Sequence, residues 1–181
     1  YEAGGGMSAS GLVGGERSGE GGLGATEIAK GLHCAEAGTD RGQWSKLRQD
    51  AAGPLNACAT VASHDHFGRA VAPRAAVRLK AGLVAGVTEL PSNDLVRKNV
   101  FSGKAVADVA VSTAIAVYTV TPNAFGVKDS PGHATVEPFS ADLGMAREKV
   151  TGFDSASADG QVPLPEAELV VSAGRGLKGP E

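Results

Sequence analysis

The chain has 181 residues, 42% of them hydrophobic, with 17 basic against 20 acidic side chains and a net charge of −3. That length suits one ordinary domain with appendages. The charge balance offers no basic stripe for nucleic acid, and no apolar run approaches the ~18 residues that a membrane-inserted helix needs. Aromatic residues make up only 4%, so the core must be built from Ala, Val and Leu.

The first 24 residues hold ten of the 26 glycines. Ordering such a stretch costs backbone entropy and buries little, which predicts a poorly defined N-terminus over residues 1–24, with at most the tail of a strand and a turn in Tyr1–Ser10. Glycines and acids there, rather than a basic segment followed by an apolar one, argue against a signal peptide. Ile28–His33 is a short apolar strand candidate. "DRGQWSKLRQDAAG" (residues 40–53) reads as a helix with Trp44 and Leu47 on one face and Gly53-Pro54 as its stop. "NACATVASH" (residues 56–64) alternates small apolar and polar residues, as a strand does.

"GRAVAPRAAVRLKAG" (residues 68–82) is a second helix. Val71, Ala75 and Leu79 share one face and Arg74 and Arg78 another, with Pro73 in the first turn and Gly82 in the C-terminal cap position. The centre is β-rich. "GLVAGVTEL" opens it, and strands are expected at Val96–Phe101, Ala105–Val111 and Ile115–Val120, the first two joined by a Ser102-Gly103-Lys104 hairpin turn. "KDSPGHA" is a loop, "ATVEPF" a short strand, residues 140–168 a polar connector, and "ELVVSA" (residues 168–173) the last strand. Strands alternating with helices in the first half predict an α/β fold: a Rossmann-like three-layer sandwich with a mainly parallel sheet and antiparallel strands at its edge.

Few side chains point to chemistry. Cys34 and Cys58 are far apart, form no C-x-x-C and read as reduced thiols. His33 adjoins Cys34, but neighbours on a strand face opposite ways, so they make no nucleophile–base pair. His64, Asp65 and His66 include a His-x-His without an evident third ligand, and read as a loop at a strand-to-helix corner rather than a metal site. Ser102-Gly103-Lys104 lacks the spacing of a phosphate loop. Arg69, Arg74, Arg78 and Lys80 read as a solvated helix face, with an acidic partner surface as the alternative. Gly174-Arg175-Gly176-Leu177-Lys178-Gly179 has the G-x-G-x-x-G spacing that holds a diphosphate at the start of a helix, with Pro180 suited to that helix's first turn.

Three stretches, "FGRAVAPRAAVRLKAGLVAGVTEL", "VRKNVFSGKAVADV" and "VPLPEAELVVSAGRGLKGPE", resemble the electron-transfer flavoprotein alpha subunit in content, order and spacing. The resemblance is strongest over Phe67–Glu181, looser over Ala25–His66, and does not extend into residues 1–24. It implies an N-terminal α/β domain over residues 25–165 and the opening of an FAD domain over residues 166–181, whose bulk lies beyond Glu181. It also implies an electron carrier rather than a stand-alone enzyme. FAD would be its cofactor, with Arg175 and Gly176 at the flavin nucleotide, and no metal or catalytic residue is implied. The implied partners are a beta subunit in a heterodimer, dehydrogenases such as acyl-CoA dehydrogenases as electron donors, and a membrane quinone reductase as acceptor. The location would be the bacterial cytoplasm or the mitochondrial matrix. Two other readings stay open: a nucleotide-binding enzyme of the same α/β fold, for which no phosphate loop is seen after the first strand, and a ligand-free interaction module.

Overall fold

The structure, a computed structural model, describes residues 9–14, 28–34, 38–92, 95–125, 135–152, 164, 167–174 and 176. Its contacts divide the chain into two compact units, Tyr1–Lys149 and Val150–Glu181.

The first unit contains two sheets. Strands β1 (Ala9–Gly14), β2 (Ile28–Cys34) and β8 (Thr135–Pro138) form a parallel sheet in the order β1-β2-β8. Strands β3 (Ala59–Ser63), β4 (Gly82–Ser92), β5 (Leu95–Val100), β6 (Ala105–Ala110) and β7 (Ala116–Val120) form a mixed sheet in the order β3-β7-β4-β5-β6. There, β7 pairs in parallel with both β3 and β4, while β5 and β6 continue antiparallel to one edge. The expected α/β architecture with antiparallel edge strands is observed. The β5–β6 hairpin turns at Phe101–Gly103, all three at positive φ, and Phe101 stands 81% exposed at its tip.

Helix α1 (Arg41–Ala52) buries Leu47 in a cluster with Cys34 of β2, against which Trp44, Phe139, Ala141 and Leu143 pack. Helix α2 (His66–Leu79) sets Ala72 and Ala76 on Val117 of β7, with Leu79 and Ala81 beside them. A third cluster, Val84, Val87 and Val96, is covered by Val109, Val111, Tyr118 and Phe125. The two helices pack on one another. Alanines at these contacts let helix and strand approach closely, which is how a core poor in aromatics is filled.

Five expectations are corrected. A strand, β1, forms inside the glycine-rich stretch, because β2 supplies a parallel ladder for its backbone. Helix α2 starts at His66, two residues before the expected start, because Asp65 caps it by accepting from the Gly68 amide at 2.7 Å. Pro73 therefore lies inside the helix rather than in its first turn, and the bond its missing N–H would have made is lost. The C-cap is Lys80 in the left-handed conformation (φ 52°), and Gly82 instead opens β4, where a Cβ would lie 2.6 Å from a Val111 methyl. Residues 168–173 form no strand. Leu169 and Val171 are 83% and 91% exposed, and β propensity expresses itself only where a partner strand and a half-buried face exist. The "KDSPGHA" loop lies outside the described residues.

The first turn of α2 sits hard against β3. A Cβ on Gly68 would fall 1.8 Å from the Ser63 carbonyl oxygen, a backbone atom that cannot move alone. Gly68→Ala is therefore expected to destabilise the protein by about 3 kcal/mol, read as a lowered urea midpoint with an unchanged denaturant slope.

Candidate functional site

Two clusters of polar side chains are built into the first unit. The larger gathers around Asp40, which is only 3% exposed. One of its oxygens, Oδ1, accepts from the Gln43 amide at 2.8 Å and caps α1. The other, Oδ2, accepts from the amides of Arg147 (2.6 Å) and Glu148 (2.8 Å). The Gln43 amide lowers the Asp40 carboxyl below its ordinary value of 3.8; burial pushes the other way, and the Glu148 and Arg147 amides add to the lowering.

The segment after β8 is fastened along α1 by further bonds. Gln43 Nε2 donates to the Gly144 carbonyl at 3.0 Å, and Lys46 Nζ donates to that of Asp142. The Glu148 carboxylate bridges Arg41 (2.7 Å) and Arg74 of α2 (3.6 Å). Arg78 Nε donates to Ser45 Oγ at 3.2 Å, tying α2 to α1. A cleft of about 600 Å³ lies here, lined by Asp40, Ser45, Arg74, Arg78 and Arg147 among others. The arginines of α2 thus divide. Arg74 and Arg78 line the cleft, Arg69 lies beside His64 and raises the local positive potential, and Lys80 serves as the helix cap. Nothing in local spacing pairs these arginines with Glu148, which the topology delivers from far along the chain.

The second cluster sits where the parallel strands β3, β7 and β4 end, the side on which open α/β sheets take ligands. His64 Nδ1 lies 2.7 Å from Thr119 Oγ1, and the Gly86 amide donates to the same oxygen at 3.0 Å. Gly86 is at φ +75° in a bulge of β4, so that its N–H leaves the ladder for the hydroxyl. The imidazole lies against Gly86, with ring atoms 3.5–3.7 Å from the position of a Cβ, so the chain's own side chain fills this corner. Among the described residues no group of His, Cys, Asp and Glu could hold a metal ion. Asp65 is a helix cap, and Cys34 and Cys58 are free thiols, the first buried and the second exposed.

Of the residues expected at FAD, Arg175 lies outside the described residues. Gly176 is in an exposed turn. A Cβ on Gly174 or Gly176 would meet nothing within 4 Å, so among the described residues the backbone there is open and no cradle surrounds it. No helix among the described residues is long and apolar enough to cross a membrane.

With this geometry in hand, the chain can be set beside known proteins. The model of the electron transfer flavoprotein domain family matches residues 9–144. The chain belongs to the electron transfer flavoprotein family. The match begins on β1, inside the stretch to which the resemblance did not extend, and it ends before the "AELVVSAGRGLKGPE" segment. Over 125 residues the chain is 32% identical to the probable mitochondrial electron transfer flavoprotein subunit alpha of Caenorhabditis elegans, covering 68% of this chain and 37% of that protein. It is 31% identical over 112 residues to the alpha subunit of Pseudomonas aeruginosa (61% and 36%) and 28% over 131 residues to that of Bacillus subtilis (70% and 40%). The chain thus spans about two fifths of the length of the curated relatives it matches.

Two measurements follow from the clusters. Asp40→Ala removes a helix cap and the acceptor of two more amides at once, and is expected to cost about 2–4 kcal/mol in chemical denaturation. His64 reads through pH. Burial, then Arg69 and Lys98, lower its pKa from 6.5, with Asp65 opposing them weakly. Its contribution is complete above the unfolded value of 6.5 and is lost as pH falls through the lower folded value. The urea midpoint should therefore drop between pH 7 and pH 5, and His64→Asn, which keeps a polar partner for Thr119 without the titration, should flatten that drop.

Proposed function

We propose that this chain is the N-terminal portion of an electron-transfer flavoprotein alpha subunit, an FAD-dependent electron carrier rather than a stand-alone catalyst. The observation that carries this reading is the family match over residues 9–144 together with relatives that are alpha subunits. In this reading residues 25–165 form the N-terminal α/β domain, preceded by the glycine-rich residues 1–24, and residues 166–181 begin the FAD domain. A beta subunit completes a heterodimer. Electrons arrive from dehydrogenases such as acyl-CoA dehydrogenases and leave towards a membrane quinone reductase. The protein works in the cytoplasm of a bacterium or the mitochondrial matrix of a eukaryote.

The flavin, when bound, supplies the redox chemistry. The chain's own contribution to it would be the glycine-flanked Arg175. Glycines on either side let a diphosphate approach backbone amides, and a guanidinium forks onto two of its oxygens. Contacts of this class contribute on the order of 1.5–3 kcal/mol, or roughly ten- to hundredfold in affinity.

The test uses a protein of the relatives' full length that carries these residues. Arg175→Ala should weaken FAD binding by about ten- to hundredfold in a titration of apoprotein, with the α/β core intact by circular dichroism. Arg175→Lys should recover only part of the loss, because an ammonium cannot fork. Unchanged affinity in the alanine variant would leave Arg175 a linker residue.

A further inference from the structure

We propose that the cleft between α1, α2 and the segment after β8 is a binding site for a small amphipathic anion, an oxyanion group on an apolar body. The cleft is walled by Arg74, Arg78 and Arg147 and by the carboxylates of Asp40 and Glu148. Asp40 has both oxygens committed to backbone amides. Glu148 is shared between Arg41 and Arg74. Neither carboxylate has an oxygen left for an ion pair with the remaining two guanidinia, and the arginines, Arg41 included, outnumber the two carboxylates. Among the described residues Arg78 reaches a hydroxyl, Ser45 Oγ, through Nε, and no partner there takes its terminal nitrogens. Arg147 is held in place through its backbone N–H alone, and among the described residues no carboxylate pairs with its side chain. Two arginines without an ion-pair partner among the described residues, on one cleft, favour an anion, and the planar forks suit a carboxylate or phosphate group.

The apolar half comes from α2. Pro73 and Val77 also line the cleft, on the helix face that carries Arg74 and Arg78. Val77 is 80% exposed, an aliphatic side chain left open between two arginine stems. A volume of about 600 Å³ admits a ligand larger than a bare inorganic ion. This inference is independent of the flavin, since none of its residues belongs to the glycine-rich segment.

Calorimetric titration of the 181-residue chain with phenyl phosphate and with inorganic phosphate tests both halves. Phenyl phosphate is expected to bind saturably and about tenfold tighter than phosphate. Arg147→Gln, which disturbs no internal side-chain bond, should weaken both probes about tenfold, and Arg78→Gln should do the same. Val77→Ser should weaken phenyl phosphate and spare phosphate. Arg69→Gln, on the same helix but away from the cleft, should change neither. The proposal is overturned by the absence of saturable binding, by equal affinity for the two probes, or by a loss in Arg69→Gln equal to that in Arg147→Gln.

Discussion

The carboxylate of Asp40 joins two parts of the chain that share no ladder. Its first oxygen satisfies an amide that the start of α1 leaves without a partner, and its second does the same for two amides of a segment more than a hundred residues later. Both oxygens are removed from water, and a buried charge is tolerable only when its acceptor sites are filled. The filled state is what holds α1, the returning segment and, through Glu148 and Arg74, α2 in one arrangement. Without that node the bonds from Gln43 and Lys46 to the returning carbonyls would be isolated surface contacts, each worth little.

Thr119 performs a comparable task on the mixed sheet. It is 1% exposed at the end of β7, and its single oxygen serves a bulged glycine of β4 and a histidine that follows β3. Three strands are thereby fixed at the end where the sheet would otherwise open. A neutral imidazole suits this place. The Gly86 amide already occupies one lone pair of the hydroxyl, so the hydroxyl is free to donate to an unprotonated Nδ1, whereas a protonated ring would leave the hydroxyl hydrogen without an acceptor in a buried position. The corner is thus occupied by the protein's own bonding.

The composition of the core and its polar groups divide the work of holding the first unit together. The core clusters contain Ala, Val, Leu and one cysteine, and their polar groups are spent on joints between elements. The arginines of the cleft divide: Arg74 closes a joint with Glu148, while Arg78 and Arg147 have no carboxylate partner among the described residues.

Periodicity and punctuation were enough to place both helices and the strands from β2 to β8 to within a few residues, because apolar spacing and turn residues act locally. The family, too, was legible in three short stretches. What local reading mistook were the points where a distant partner decides. Ala9–Gly14 is a strand because β2 lies alongside it, and Leu169–Ala173 is not one because among the described residues nothing does. Asp65, three residues ahead of the expected start, set the first residue of α2 through a side-chain bond that composition does not reveal. His64 read as part of a corner loop rather than a metal site, but its contacts with Thr119 and Gly86 come from other strands and could not be read locally. Spacing alone could place Arg74 and Arg78 on one helix face, but only the fold could bring Glu148 to Arg41, 107 residues away, and so decide which arginines are neutralised and which remain. Local sequence sets what a segment prefers to be; which charges end up paired is set by the path of the chain, because an ion pair forms between whatever the tertiary structure brings within reach.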